Sequence, residues 1–308
     1  MALLGYVLLC LIWGSTWLAI KLGLDGGMPP FLGAALRFLI AALILIPIAW
    51  RRSPAIFRDR EAWRLAALLG TLSFGVGYGC TYFGGLYVPS GLGSLTFGFF
   101  PFWVAVLAHF VLGDRLSAGK LAAIALGIAG LGVLYRGSLR ELGPETMIGV
   151  GIITASVLIQ GLPQVLIKRD GARIPTAFLS GVGMAFGCLV LAILAAIRGE
   201  WAQGIPTSAP VLLSIAYLAV FGSVATFLIF FALLRQLSAT LMALIAIITP
   251  PIALLLGFFV RGEHLGLVTL SGGAMVLAGV LLFQRAERRD AQARAAEAAE
   301  AALRRGGG

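Results

Sequence analysis

The longest uncharged stretch of this sequence restricts the chain to a membrane. It runs from Leu65 to Gly113, 49 residues without Asp, Glu, Lys or Arg. As one helix it would be roughly 74 Å long at ~1.5 Å per residue, whereas a hydrocarbon core is only ~30 Å thick. The stretch must therefore cross a bilayer twice. With 60% hydrophobic and 12% charged residues, a soluble enzyme, a disordered chain and a disulfide-stapled secreted module are excluded.

Apolar runs of spanning length predict ten transmembrane helices, separated by charges, prolines and glycines. The three cysteines lie inside these runs and give no disulfide framework. Residues 286–305, rich in Ala, Glu and Arg, are expected to form a charged helix outside the membrane. The predicted spans lie near residues 3–22, 31–50, 63–83, 90–112, 118–135, 147–167, 176–197, 211–233, 238–260 and 265–284.

The distribution of Lys and Arg predicts the orientation of the chain. With ten spans, both termini lie on the same side of the membrane. If that side is cytoplasmic, 17 basic residues, Arg115 and Arg235 among them, lie in inner segments and five in outer ones, while Arg37 lies inside the second span. We therefore expect cytoplasmic termini. The net charge of +10 then marks orientation and, around Arg51 to Arg64, contact with anionic lipid, and not a nucleic-acid partner.

The two halves of the chain are similar in sequence. Residues 13–21 match residues 160–168 at glycine, isoleucine and lysine with an offset of 147. At an offset of 149 the matched pairs are Pro101 with Pro250, Gly113 with Gly262, Asp114 with Glu263, Leu116 with Leu265, and Gly130 with Gly279.

Each half holds five spans, and an odd number means that the second half enters the membrane from the opposite side. Such inverted repeats are typical of secondary transporters, whose binding site lies between the halves near the midplane. The alternative is an old duplication retained only for packing. We predict a first five-helix repeat at residues 1–145, a second, inverted repeat at 146–285 and a charged cytoplasmic tail at 286–308.

These motifs resemble those of a known transporter family. A Trp13-Gly14 pair near the start, Arg37-Phe38 in the second span, and a twice-used proline followed by G-[DE]-x-L are similar to the EamA-type ten-helix exporters of the drug/metabolite transporter superfamily. The resemblance covers residues 3–284. It implies an all-α polytopic membrane protein of two inverted five-helix repeats in a bacterial inner membrane. It also implies export of small metabolites, such as amino acids, through a central cavity lined by the first, third, fourth, sixth, eighth and ninth spans.

Polar and aromatic side chains within the spans are the candidate site residues. In the sixth span, Ser156, Gln160, Gln164 and Lys168 recur every fourth residue and form one stripe. The stripe either lines a cavity or hydrogen-bonds neighbouring helices. The predicted substrate-cavity residues are Trp13, Thr16, Trp17, Tyr78, Tyr82, Trp103, Gln160 and Gln164, and the predicted hinges or helix breaks are Pro101, Pro163 and Pro250.

Charged and titratable groups inside the spans are few. Arg37, roughly 10 Å from the outer boundary at ~1.5 Å per residue, either attracts a carboxylate substrate or bonds carbonyls of its own half. His109 is the only histidine within a span. Acidic side chains are missing from the middle of every span, which disfavours a multidrug antiporter for lipophilic cations. Ser223, Thr226, Phe227 and Phe230 complete a lining face on the eighth span.

The sequence therefore predicts a transporter and not an enzyme, since no catalytic, P-loop or metal-spaced motif is present. We expect no cofactor and no metal. The expected function is export of small neutral or zwitterionic metabolites, foremost amino acids including aromatic ones, by alternating access, with the bilayer and the substrate as partners. One alternative is an antiporter of phosphorylated sugars or nucleotide sugars, which should show more cavity Lys and Arg. Another is a non-transporting membrane scaffold, which leaves the polar stripe unexplained.

Overall fold

The chain is helical throughout the computed structural model, which describes residues 2–114, 116–234 and 245–306. In these residues nine helices are long and apolar enough to cross a membrane, and a tenth apolar helix is shorter. The expected all-helical, ten-helix membrane fold is thereby confirmed. The helices are α1 Ala2–Asp25, α2 Pro30–Arg52, α3 Arg60–Gly84, α4 Ser90–Leu112, α5 Ala118–Leu142, α6 Pro144–Asp170, α7 Thr176–Ile197, α8 residues 209–234, α9 Ile245–Arg261 and α10 Leu267–Gly306.

Two helices are longer than the sequence predicted. Helix α5 continues to Leu142, so Arg136 and Arg140 lie in its last turns and not in a loop. It stops only at Gly143, whose φ of +90° favours glycine, ahead of a proline. Helix α10 runs on through the predicted tail because neither glycine nor proline occurs between residues 280 and 305. Arg115, Arg235 and the predicted start of the ninth span, 238–244, lie outside the described residues.

Short connections join the helix ends at two faces of the bundle. The 3-10 helix Pro54–Arg58 joins α2 to α3, and the short helix Glu200–Gln203 lies between α7 and α8. We call the face that holds the N-terminus and the α2–α3 connection the terminal face. The opposite face, with the α1–α2 and α9–α10 connections, is called the distal face.

Buried or paired carboxylates cap helices at each face. On the terminal face, Asp59 accepts hydrogen bonds from the backbone nitrogens of Glu61 and Ala62 at the start of α3. The hydrogen bond from Arg173 holds the pKa of Asp59 below its usual range. On the distal face, Glu200 accepts from the Leu32 nitrogen of α2 at 2.8 Å. Burial raises the pKa of Glu200 above its ordinary value.

Helices from the two halves pack directly against each other. Helix α2 packs on α7, and α5 packs on α10. A Cβ on Gly272 of α10 would lie 2.4 Å from the Leu134 nitrogen of α5, and one on Gly181 of α7 would lie 2.9 Å from Cβ of Leu45 in α2. Small residues therefore bring the backbones together, as is usual between membrane helices. Helix α1 packs against α4, α8 and α9, and α6 packs against α3 and α4.

Large apolar side chains cover the outside of the bundle. Such an extensive apolar surface is unfavourable in water and suits contact with lipid chains. Among the most exposed are Leu3, Phe110, Ile197, Phe259 and Leu267.

Helices α3 and α8 each contain a stretch of π-helical hydrogen bonding. The stretches are Leu69–Gly77 in α3 and Val220–Ala225 in α8. At the offset of 149, residues 220–225 correspond to residues 71–76, so the two stretches occupy matched places in the two halves. π-Helical stretches are rare in proteins, and those that do occur often lie at functional sites.

Candidate functional site

The tryptophans of α1 contact helices of both halves. Trp13 is half-buried and lies 5.6 Å, between ring centroids, from Phe230 of α8. Trp17, one turn further along, meets the edge of Phe97 in α4 at 5.8 Å. A Cβ on Gly93 would lie 2.5 Å from Cζ3 of Trp17, so the indole covers this glycine. The two rings thus form an aromatic surface between α8 and α4.

Thr16 lies between these tryptophans and is also half-buried. Its hydroxyl donates to the Trp13 carbonyl at 2.7 Å, within the same helix. Its methyl carbon is 3.2 Å from the Cβ that Gly222 of α8 would carry. Thr16 therefore packs against the π-helical stretch of α8.

Trp103 of α4 contacts helix α6 close to Pro163, one of the predicted hinges. Its half-buried indole nitrogen donates to the Leu158 carbonyl at 2.8 Å, five residues before Pro163. The ring lies on Gly161, where a Cβ would be 2.6 Å from Cδ1 of Trp103. Because proline lacks a backbone N–H, Pro163 leaves the carbonyl four residues earlier, that of Ile159, without its helical donor. Trp103 binds the carbonyl directly before it.

A matching contact joins α1 to α9. A Cβ on Gly14 would lie 2.5 Å from Cγ2 of Ile252. Gly14 matches Gly161 at the offset of 147, and Ile252 matches Trp103 at the offset of 149. The same pair of positions is therefore in contact twice, once between α1 and α9 and once between α6 and α4.

The polar stripe of α6 divides into two parts, of which the first is buried. Gln160 donates to Ser156 Oγ at 2.7 Å, and Ser156 donates to the Gly77 carbonyl of α3 at 2.8 Å. Ser156 also shares a 2.7 Å hydrogen bond with Thr81. A Cβ on Gly77 would lie 2.5 Å from Cγ of Gln160. This part holds α6 against the π-helical stretch of α3.

The second part of the stripe, Gln164 and Lys168, is exposed. Lys168 forms an ion pair with Asp114, at the end of α4, at 3.2 Å. Gln164 thus presents its amide on the same face of α6 as Gln160 but outside the hydrogen-bonded part. Lining of a substrate cavity stays a prediction for both glutamines.

Tyr78 and Tyr82 of α3 surround Arg37. The buried guanidinium donates to Tyr82 Oη at 3.3 Å, to Ser223 Oγ at 3.0 Å and to the Gly222 carbonyl at 3.0 Å. It also lies 5.1 Å from the ring centroid of Tyr78, in cation–π geometry. The expectation that Arg37 bonds carbonyls of its own half is corrected, because Gly222 belongs to the second half. Arg37 links α2 and α3 to the π-helical stretch of α8.

The three predicted hinge prolines differ in their surroundings. Helix α4 consists of Ser90–Phe97 and Phe100–Leu112, with its α-helical pattern interrupted directly before Pro101. Helices α6 and α9 continue through Pro163 and Pro250, which are both buried. A helix break is therefore absent at these two prolines, and their action as hinges stays a prediction.

The remaining candidate groups have local partners. Thr226 is buried and donates to the Phe221 carbonyl at 2.6 Å, while Phe227 meets Phe74 of α3 at 6.0 Å. His109 is exposed, and its Nδ1 lies 2.8 Å from the Asp114 carbonyl oxygen. In the part of the chain that the structure describes, no group of His, Cys, Asp or Glu is placed to hold a metal ion.

Comparison with known proteins decides the family. The model of the EamA-like transporter family matches residues 1–136 and again residues 147–285. This chain belongs to the EamA-like transporter family. It is 30% identical to the uncharacterized inner membrane transporter YedA of Escherichia coli, over 89% of this chain and 88% of the relative. It is also 30% identical to a probable amino-acid metabolite efflux pump of Salmonella typhimurium, over 90% of this chain and 92% of the pump.

A solved crystal structure shares the fold of this EamA-like chain. The TM-score is 0.62 at 21% identity, over 94% of this chain and 98% of the other. The family and its relatives are transporters, which confirms that the chain is a multi-pass membrane transporter and not an enzyme. The resemblance drawn from the sequence motifs is confirmed as well. The residue boundaries of the two repeats stay a prediction.

Proposed function

We propose that this transporter exports small neutral or zwitterionic metabolites, with amino acids, including the aromatic ones, as the substrate class. The observation that carries the proposal is the chemistry at matched positions of α1 and α6. Trp13 and Trp17 of α1 match Gln160 and Gln164 of α6 at the offset of 147. An apolar aromatic surface together with the exposed amide of Gln164 suits an amphiphilic molecule with hydrogen-bonding groups.

The name of one relative supports the same class. A probable amino-acid metabolite efflux pump aligns with 90% of this chain. The absence of acidic side chains from the middle of the spans argues against a lipophilic cation as the substrate. It also favours facilitated export down a gradient over proton coupling through a membrane carboxylate.

The proposed mechanism is alternating access by the two halves. Helix kinks form at prolines and at π-helical stretches. In this mechanism the helices would bend at the interruption of α4 before Pro101 and at the π-helical stretches of α3 and α8. Substrate would bind between α1, α4 and α6 and be released when these helices rearrange. We further propose a bacterial inner-membrane location with the terminal face in the cytoplasm, supported by the basic residues of that face.

The phosphorylated-sugar alternative needs cationic groups that can reach a phosphate. Arg37 is the Lys or Arg that lies deepest in a predicted span, since Lys21, Arg64 and Lys120 all lie within three residues of a span end. Its three nitrogens already donate to Tyr82, Ser223 and Gly222. A guanidinium so engaged favours an amphiphilic substrate over a dianion.

Counterflow in proteoliposomes tests the substrate class. The purified protein is reconstituted with labelled amino acids, nucleosides, sugar phosphates or nucleotide sugars, each with and without a pH gradient. We expect exchange of zwitterionic amino acids, including phenylalanine and tryptophan, without dependence on the pH gradient. Exchange of phosphorylated compounds alone would contradict the proposal, as would no exchange at all, which is the result expected of a scaffold.

A further inference from the structure

Four charged side chains form a cluster at the distal ends of α1 and α9. Lys21 pairs with Asp25 at 3.3 Å within α1. Arg261, the last residue of α9, pairs with Asp25 across the two halves and with Glu263 at 3.4 Å. We call Lys21, Asp25, Arg261 and Glu263 the distal cluster.

The distal cluster also binds the facing ends of α3 and α4. Lys21 donates to the carbonyls of Gly85 and Leu86, just past α3, at 3.2 and 3.3 Å. Glu263 accepts from the Ser90 hydroxyl at 2.8 Å and from the Ser90 nitrogen, at the start of α4, at 3.1 Å. Lys21 and Arg261 lie near helix C-termini and Glu263 lies at the start of α4, so these three charges have the sign that the helix dipole favours. Asp25, the last residue of α1, has the opposite sign and is compensated by its pairs with Lys21 and Arg261. The cluster therefore joins four helices. Helices α3 and α4 are consecutive in the first half, α1 also belongs to the first half, and α9 belongs to the second.

Side chains next to the distal cluster pack closely where α1, α4 and α9 meet. Trp17 of α1 covers Gly93 of α4, and a Cβ on Gly91 of α4 would lie 2.7 Å from Cδ2 of Leu254 in α9. The first segment of α4 is thus wedged between α1 and α9. A substrate could pass only if this segment separated from one of them.

The matched positions on the terminal face are arranged differently. Lys168 matches Lys21, and Asp114 matches Glu263. There the lysine pairs directly with the aspartate, and their side chains are 65% and 45% exposed, against 14% for Lys21 and 11% for Glu263. The distal face thus has a network across four helices in which Asp25 and Arg261 are 36% and 25% exposed, whereas the matched positions of the terminal face hold one exposed pair.

We propose that the distal cluster is a gate, which holds the substrate path closed on the distal face and parts when the path opens there. The inference rests on the proposed alternating-access function. The Asp25–Arg261 pair and the contacts of Glu263 with Ser90 join the first half of the chain to the second. These bonds must break for α4 to move away from α1 and α9, and their strength sets how often the distal face is open.

Cysteine accessibility in lipid nanodiscs tests the gate. Cys10, Cys80 and Cys188 are replaced by alanine. The buried Val88, in the α3–α4 connection that Lys21 and Glu263 bind, is replaced by cysteine and reacted with a polar maleimide. Asp25→Asn and Arg261→Gln should each raise the labelling rate about fivefold, the effect of losing one half-buried ion pair. The double variant should add little, because both changes remove the same pair.

Matched controls separate gating from folding. Glu61→Gln removes a charge that pairs with Arg64 on the terminal face, away from the distal cluster, and should leave the rate unchanged. Arg261→Lys, which keeps the charge, should label more slowly than Arg261→Gln. A reporter at the exposed Ala202 should react equally in all variants.

An unchanged Val88→Cys rate in Asp25→Asn and Arg261→Gln would overturn the gate, whether or not the variants lose thermal stability. The labelling needs no substrate. A wrong substrate class would therefore leave its result intact, and a failed gate would leave the counterflow result intact.

Discussion

The contact of α1 with α9 and the contact of α6 with α4 have the same backbone plan and different side chains. In each, a glycine of the first helix of one half lies under a residue of the fourth helix of the other half. Gly14 meets the aliphatic Ile252, whereas Gly161 meets Trp103, whose indole also bonds the Leu158 carbonyl. Both halves therefore repeat the close contact between these two helices, but the side chains around the glycine differ between the halves.

The difference extends along both helices. Beside Gly14 the chain carries Trp13 and Trp17, and beside Gly161 it carries Gln160 and Gln164. A similar backbone frame therefore carries an aromatic surface in one half and glutamines in the other, of which Gln160 is buried and Gln164 is exposed. Under the proposed function, this asymmetry would let the site recognise both ends of an amphiphile, which a strictly repeated pair of helices would not.

The largest expected effects come from filling the two glycine contacts. Gly14→Val and Gly161→Val should each lower the free energy of unfolding by ~1–3 kcal/mol, because overpacking forces the helices apart. Thermal unfolding in detergent measures the loss. Ile252→Ala should restore part of it in Gly14→Val. Gly151→Ala in α6, where a Cβ would meet nothing within 4 Å, should be neutral or stabilising. Equal losses at all three glycines would contradict the two contacts.

The two glutamines of α6 should separate stability from transport. Gln164→Leu is expected to reduce amino-acid counterflow about tenfold with unchanged thermal unfolding, since its amide is outside the interhelical hydrogen bonds. Gln160→Leu breaks the bond to Ser156 and should cost ~0.6 kcal/mol of stability. If Gln164→Leu unfolds the protein while Gln160→Leu does not, the division of the stripe is wrong.

The aromatic wall should show in substrate preference. Trp17→Leu is expected to reduce counterflow of phenylalanine about fivefold more than that of alanine, because aromatic contacts contribute ~0.5–1.5 kcal/mol beyond burial. Trp50→Leu, at an exposed position of α2, is the matched control and should leave the ratio unchanged. A ratio that shifts equally in both variants would remove Trp17 from the site.

The smallest effect is expected at the matched lysines. Lys168→Gln removes one exposed ion pair and should change the free energy of unfolding by less than ~0.5 kcal/mol. Lys21→Gln removes the pair with Asp25 and two hydrogen bonds to carbonyls, so its destabilisation should be larger. Thermal unfolding of the two variants side by side measures the difference, and the reverse order would contradict the structure.

The helices were accessible to sequence reasoning because the bilayer imposes length and apolarity on each span. The extra turns of α5 were not, because the apolar run ends at Tyr135, whereas the long side chains of Arg136 and Arg140 can extend to the surface from within a helix. The π-helical stretches were also missed. Their glycines permit such hydrogen bonding but are equally common at close helix contacts.

Site contacts between distant residues were the least predictable. The α6 stripe follows from a four-residue period, but its division at Gln160 depends on where α3 packs. Arg37 and Ser223 are 186 residues apart, and no local pattern pairs them. The distal cluster had one sequence signal, the repeated Gly-Asp and Gly-Glu of residues 113–114 and 262–263. Its partners on α1 and α4 became visible only in the fold.

The central claim is that the Gln164 amide and the Trp17 indole contact the same amphiphilic substrate. The most direct test is whether bound substrate protects position 164 from chemical labelling. Gln164→Cys, in the background without native cysteines, is reacted with maleimide in nanodiscs with and without saturating phenylalanine. The account predicts slower labelling in the presence of phenylalanine and loss of this protection on adding Trp17→Leu. Arg169→Cys, at the exposed end of α6, should label equally in all conditions. Labelling of Gln164→Cys that phenylalanine does not change, or that only a sugar phosphate slows, would contradict the account.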